Sequence, residues 1–156
     1  MNLKQELEAE QVSHLDLTDF CQAATSTAVS EVIKTMQTGN SSICLVMDGQ
    51  TLTGVITERD VLRKIATDPQ TYNQPIETIM TAQPVTILPT TSAADALWLM
   101  DDKHFRNLPV VDSNGKVVGN MTHQSVIHYL AARYPIEVQN RPHNPERFPR
   151  KAEGGD

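Results

Sequence analysis

The chain has 156 residues, a formal net charge of −6 and a pI near 5.3. The acid excess argues against nucleic acid or an anionic membrane as partner, since both select a basic face. No apolar run approaches the ~20 residues that span a bilayer, and the length suffices to bury a core without metal or disulfide staples.

The opening stretch, MNLKQELEAEQV, is mixed in charge and lacks an apolar signal core. The expectation is a soluble, cytoplasmic chain. In that setting Cys21 and Cys44, which show neither CxxC nor zinc spacing, read as reduced, half-buried thiols.

A short lead-in strand is predicted over 20–24. Val29, Val32, Ile33 and Met36 then follow the i, i+3, i+4, i+7 spacing of one helical stripe. ICLVMD at 43–48 is a dense apolar run, suited to a strand covered on both faces. A DGQT turn at 48–51 leads into LTGVIT, which ends on Thr57. Thr57 opens a helix with Val61, Leu62 and Ile65 apolar. TDPQTYNQP at 67–75 reads as a linker, followed by a helical turn over 76–80.

The pattern then repeats. A lead-in strand is predicted over 84–88. Ala93, Ala96, Leu97 and Met100 copy the first helical stripe 64 residues on, and NLPVVD copies ICLVMD at the same offset. The turn DSNGK at 112–116 is one residue longer, so VVGNMT, ending on Thr122, lies 65 residues after its counterpart. Val126, Ile127 and Leu130 mark the closing helix. One unit cannot cover both faces of its sheet, whereas two can share a core. The expected layout is a first unit with its lead-in at 1–66, a linker at 67–79 and a second unit at 80–134. The tail at 135–156 carries four prolines, with four acids balancing four bases. It is expected to be extended or disordered, or else to dock on a neighbouring subunit through Ile136, Val138 and Phe148.

The stretches GVITERDVLR at 54–63, MTAQPVTI at 80–87 and FRNLPVVDSNGKVVGNMT at 105–122 resemble the CBS domain, named after cystathionine β-synthase. The doubled unit resembles a stand-alone Bateman module over roughly residues 12 to 134. The resemblance implies an α/β (α+β) fold of two pseudo-symmetric units, each a small three-stranded sheet with two helices. It also implies a non-catalytic regulatory role. AMP, ADP or ATP, or in some cases S-adenosylmethionine, would bind in a cleft between units, and its presence would be signalled to a partner protein. Flat homodimers are common among such pairs, and Mg is expected only with ATP.

In the family, the aspartate of GxxTxxD holds the ribose. Carried onto this sequence, Asp60 accepts from the two ribose hydroxyls and Thr57 sits beside the ribose or phosphate. A local reading stands beside this one. Thr57 is a natural N-cap, and Asp60 three residues later suits both an acidic capping box and the positive helix end. The second copy keeps Thr122 but has Ser125 in place of the aspartate. Loss of a charged acceptor costs ~1.5–3 kcal/mol, roughly tenfold to a hundredfold in affinity. The Asp60 cleft is therefore expected to be the stronger site, and the Ser125 cleft weak, altered or empty.

By resemblance, the segment ahead of LPVVD reaches the phosphates. Arg106 is the best candidate because its planar fork matches phosphate oxygens, with Asn107 and His104 weaker. His104 also reads as a solvent-facing residue at a helix end. Arg59 and Arg63 are further basic candidates or plain surface charge. Thr81 and Pro84 of the MTAQPV loop would line the adenine slot, and DLTDF at 16–20 is the matching loop of the first unit. The candidate nucleotide-binding set is thus Thr57, Asp60, Thr81, Pro84, Arg106, Asn107 and Thr122, with no catalytic and no metal residue.

No GxSxG, HExxH or GxxxxGK[ST] supports an enzyme, and the five histidines lack ligand spacing. Trp98 and Met100 read as core or dimer-interface residues. The competing class is an oligomerisation or protein-docking module in which Thr57 and Asp60 only cap a helix.

Overall fold

Both apolar stripes form helices. Val29, Val32 and Met36 are buried along α2 (Val29–Gly39), and Ala93, Ala96 and Met100 along α4 (Ala93–Lys103), after a seven-residue helix α1 (Leu3–Ala9). Asn40 and His104, 64 residues apart, end α2 and α4 in the left-handed conformation, where each cap N–H meets otherwise unpaired carbonyls of the last turn. These features come from a computed structural model that describes residues 2–133. The expectations for the tail lie outside the described residues.

The first sheet has the order β1 (Cys21–Ala24), β2 (Ile43–Asp48), β3 (Thr51–Thr57), β4 (Thr81–Ala82). β1 runs parallel to β2, and the other pairings are antiparallel. β3 leads directly into α3 (Glu58–Thr67). The second sheet is the hairpin of β5 (Asn107–Val111) and β6 (Val117–Thr122), continued by α5 (His123–Arg133). Both hairpins shift register at the same repeat position, Val46/Met47 and Val110/Val111. The expected fold class, a mixed α+β pair of pseudo-symmetric units, is what the structure shows. The second lead-in strand shrinks to one bridge, Ile87 to Val110. Ile87 donates to the Pro109 carbonyl and accepts from the Val111 N–H, while Pro84 and Pro89 on either side have no N–H to extend the ladder.

The two halves exchange their leading segments. Ile76 donates to the Thr27 carbonyl at 2.7 Å, and Val29 donates to the Gln74 carbonyl at 2.8 Å. The same bonds recur 64 residues earlier in the leading segment: Val12 donates to the Thr91 carbonyl at 2.8 Å, and Ala93 to that of Glu10 at 2.7 Å. Ile76 therefore belongs to the first core with Val29, Val32, Met36, Val46, Ile56 and Val61. Val12, Leu15 and Leu17 belong to the second core with Ala96, Met100, Leu108, Val110 and Met121. The stretch read as a linker at 67–79 is thus packed structure, and the lead-in grouped with the first unit packs on the second.

The glycines of the repeated strand serve this crossing. A Cβ at Gly54 would collide with the Met80 side chain, and one at Gly119 would lie 2.7 Å from the Leu17 carbonyl oxygen. Ile43 and Leu45 alternate with the core residues Cys44 and Val46. They are buried yet belong to neither helix-side core, which places them on the opposite face of the sheet.

Candidate functional site

Thr57 is the last residue of β3 and the N-cap of α3. Its hydroxyl oxygen accepts from the Asp60 N–H at 3.2 Å. This geometry sets the Asp60 side chain on the first turn of α3, half-buried beside the positive helix end. A capping box would return the bond, with the carboxylate accepting from the Thr57 N–H. That return bond is absent, and the Asp60 carboxylate has no hydrogen bond or ion pair to any described residue.

The second copy closes on itself. Ser125 donates its N–H to the Thr122 hydroxyl at 3.2 Å, and the Ser125 hydroxyl accepts from the Thr122 N–H at 3.0 Å. Thr122 is 8% and Ser125 2% exposed. The serine completes the reciprocal cap that the aspartate leaves open, and both hydroxyls are turned inward.

β4 lies along β3 with Thr81 opposite Val55 and Ala82 opposite Gly54. Thr81 is thereby two residues from Thr57 along the same edge. Gln83, in the left-handed region, donates to the Thr53 carbonyl and turns the chain toward half-buried Pro84. The register thus sets Thr81 toward the Thr57–Asp60 end of β3, while Pro84 follows Gln83 toward the Thr53 end.

Arg106 lies in the bend just ahead of β5, and Asn107 is the first residue of that strand, opposite Thr122 in the register. Arg106 is exposed with no partner among the described residues. Asn107 is engaged: its Oδ1 accepts from Asn120 Nδ2 at 2.9 Å, and Asn120 Nδ2 also donates to the Asp19 carbonyl at 3.1 Å. These amides fasten the crossing segment 16–20 to β6. Asn120 was missed in the sequence. The available signal was the replacement of Ile43 and Val55 by Asn107 and Asn120 at matching repeat positions. Asn120 Oδ1 is buried without a partner among the described residues.

In the 16–20 loop, the Thr18 hydroxyl, then the Thr18 N–H and His128 of α5, hold the Asp16 carboxyl below its ordinary value. His104 is an exposed helix cap, as its alternative reading held. Met100 is core, but Trp98 is 70% exposed beside an apolar groove of Leu3, Leu7, Ala94 and Leu97, so it is no core residue. Arg59 and Arg63 are exposed. Among the described residues there is no cluster of three potential metal ligands and no helix long and apolar enough to cross a membrane.

Comparison with known proteins gives two matches to the CBS domain, over residues 16–67 and 76–132. An uncharacterised protein of Methanopyrus kandleri is 34% identical over 119 residues, covering 74% of this chain and 61% of that protein. An uncharacterised 17.7 kDa protein of Acidianus ambivalens is 32% identical over 112 residues, covering 71% of this chain and 67% of that one. The chain thus spans about two thirds or less of these relatives. CBSX2 from Arabidopsis thaliana, solved in complex with AMP, superimposes with a TM-score of 0.70 at 26% identity, covering 80% of this chain and 98% of that one.

Proposed function

The chain belongs to the CBS-domain family as a tandem pair, and from that premise we propose that it is a non-catalytic regulatory module that binds one adenine nucleotide of the AMP, ADP or ATP class at the Asp60 edge. The observation that carries this reading is the Asp60 carboxylate, half-buried at a helix start and without a partner among the described residues, where the repeated position holds a serine locked into its own cap. In this reading the carboxylate accepts from both ribose hydroxyls, and the Thr57 O–H, still free to donate, reaches a ribose or phosphate oxygen. Thr81 and Pro84 border the adenine. Arg106 supplies phosphate charge from the bend ahead of β5. Thr122 and Asn107 act structurally, through the cap and the amide network. The AMP complex of CBSX2 supports the ligand class; S-adenosylmethionine offers Asp60 the same ribose, and Mg enters only with ATP.

Signalling would be a coupling free energy between the nucleotide edge and a partner-binding surface. The exchanged segments suit that role, because β4 touches the site while its chain continues into the second unit. A cytoplasmic homodimer acting on a protein target is the setting we infer. The test is thermal unfolding with AMP, ADP, ATP and S-adenosylmethionine, on wild type and Asp60→Ala. A ligand specific to the folded state raises the midpoint by mass action. A rise in wild type that the variant loses supports the reading, and no rise with any ligand at millimolar concentration ends it.

The exposed Trp98 beside its apolar groove favours a second reading, a docking or oligomerisation module. Trp98→Ala would then abolish assembly, with no ligand dependence.

A further inference from the structure

Cys21 and Cys44 are the chain's two cysteines, and the fold sets them side by side. They are register partners on the adjacent parallel strands β1 and β2, so their side chains leave the same face of the sheet. Both lie against the first core, Cys44 fully buried and Cys21 half-buried at the edge of the four-stranded sheet. Paired strands lie ~4.7–4.9 Å apart, within the ~4.4–6.8 Å Cα separation that a disulfide spans. We propose that Cys21 and Cys44 are a redox-active pair: peroxide oxidises Cys21, and Cys44 resolves it to an intramolecular disulfide that ties β1 to β2.

The chemistry divides between the two sulfurs by their surroundings. Cys21 has the route to solvent. As thiols the two donate to backbone carbonyls, Cys21 to Ile43 at 3.7 Å and Cys44 to Leu45 at 3.9 Å. Once Cys21 is a thiolate the adjacent Cys44 thiol can donate to it instead, which holds the Cys21 pKa below the ordinary thiol value, while the same pairing and burial push that of Cys44 up. The Cys21 thiolate attacks a peroxide oxygen; the O–O bond breaks, and the departing hydroxide takes up a proton to leave as water. Cys21 is now a sulfenic acid. The Cys44 sulfur then attacks the Cys21 sulfur, forming the S–S bond and breaking the S–O bond. The hydroxyl leaves with the Cys44 proton as a second water. In sum, two thiols and one peroxide give one disulfide and two waters. Cys44 needs no exposure of its own, because its reaction partner is its neighbour on the sheet.

The test is intact-mass measurement of the folded protein under denaturing, alkylating conditions, before and after treatment with hydrogen peroxide. The expected product is a monomer lighter by two hydrogens, with both thiols lost to alkylation. Trypsin should release peptide 5–34 linked to peptide 35–59, the two that carry Cys21 and Cys44. Reduction with dithiothreitol should restore both thiols. Because the bridge closes a loop in the unfolded chain, the oxidised protein should melt on the order of 5–10 °C higher. Cys44→Ala should leave Cys21 to accumulate as sulfenic and higher acids; the wild-type mass measurement decides the matter even if this variant folds poorly. Persistence of both thiols, over-oxidation of Cys21 without the linked peptide, or disulfide dimers in place of the monomeric product would overturn the proposal.

Discussion

The contrast between Asp60 and Ser125 makes a stability prediction that needs no ligand. Ser125→Ala removes the acceptor of the Thr122 N–H at a site where both residues are nearly inaccessible. The N–H is left buried and unpaired, which costs ~1–3 kcal/mol. The other half of the cap survives, because Ser125 donates to Thr122 through its backbone. Asp60→Ala removes a side chain with no partner among the described residues and keeps the backbone bond to Thr57. It forfeits only a favourable charge on the first turn of a helix, ~0.3–1 kcal/mol. Urea unfolding of the two variants in nucleotide-free buffer should therefore show the larger midpoint loss for Ser125→Ala, at unchanged slope. An Asp60→Ala loss as large as that of Ser125→Ala would refute the reasoning, since the carboxylate would then be a structural cap.

Other expectations follow from the exchanged segments and from Asp16. Ile76→Ala should cost ~2–5 kcal/mol by equilibrium unfolding, because the side chain is 0% exposed in the first core; a cost under 0.5 kcal/mol would mean that this segment is only a tether. Gly119→Ala should destabilise more than Gly54→Ala, since the first meets the Leu17 backbone and the second a flexible Met80 thioether that can swing aside. The reverse order in thermal melts would contradict the crossing geometry. Asp16 contributes stability that is present above its unfolded pKa and is lost as pH falls through its lowered folded value. Thr18→Val should raise the Asp16 pKa toward 3.8 in a carboxyl NMR titration, whereas no movement would show that Thr18 does not hold it.

The parts of this structure with a period were legible from residues alone. The stripes Val29–Val32–Met36 and Ala93–Ala96–Met100, and the hairpins closing on Thr57 and Thr122, sit where the spacing predicts, at the same offsets of 64 and 65. The exchange of leading segments was not. Val12, Leu15 and Leu17 are apolar residues in a stretch without strand or helix period, so nothing local says which sheet receives them. Ile76 was hidden in the same way between polar turns. Within the site, residue types pointed to Thr57 and Asp60, but whether the carboxylate was spent on a cap depended on a hydrogen bond that only coordinates reveal. Asn107 was a ligand candidate because of its place ahead of the strand. Its partner Asn120 lies 13 residues away across the hairpin, and that contact makes it part of the amide network.

In the proposed function each chain holds one adenylate, through Asp60. Isothermal titration of the wild-type protein with AMP, ADP and ATP, repeated on Asp60→Ala and Ser125→Ala, tests it most directly. One equivalent should bind per chain for at least one of the three, with an affinity loss of roughly tenfold to a hundredfold for Asp60→Ala and unchanged stoichiometry for Ser125→Ala. Two equivalents per chain, or binding indifferent to Asp60, would contradict it.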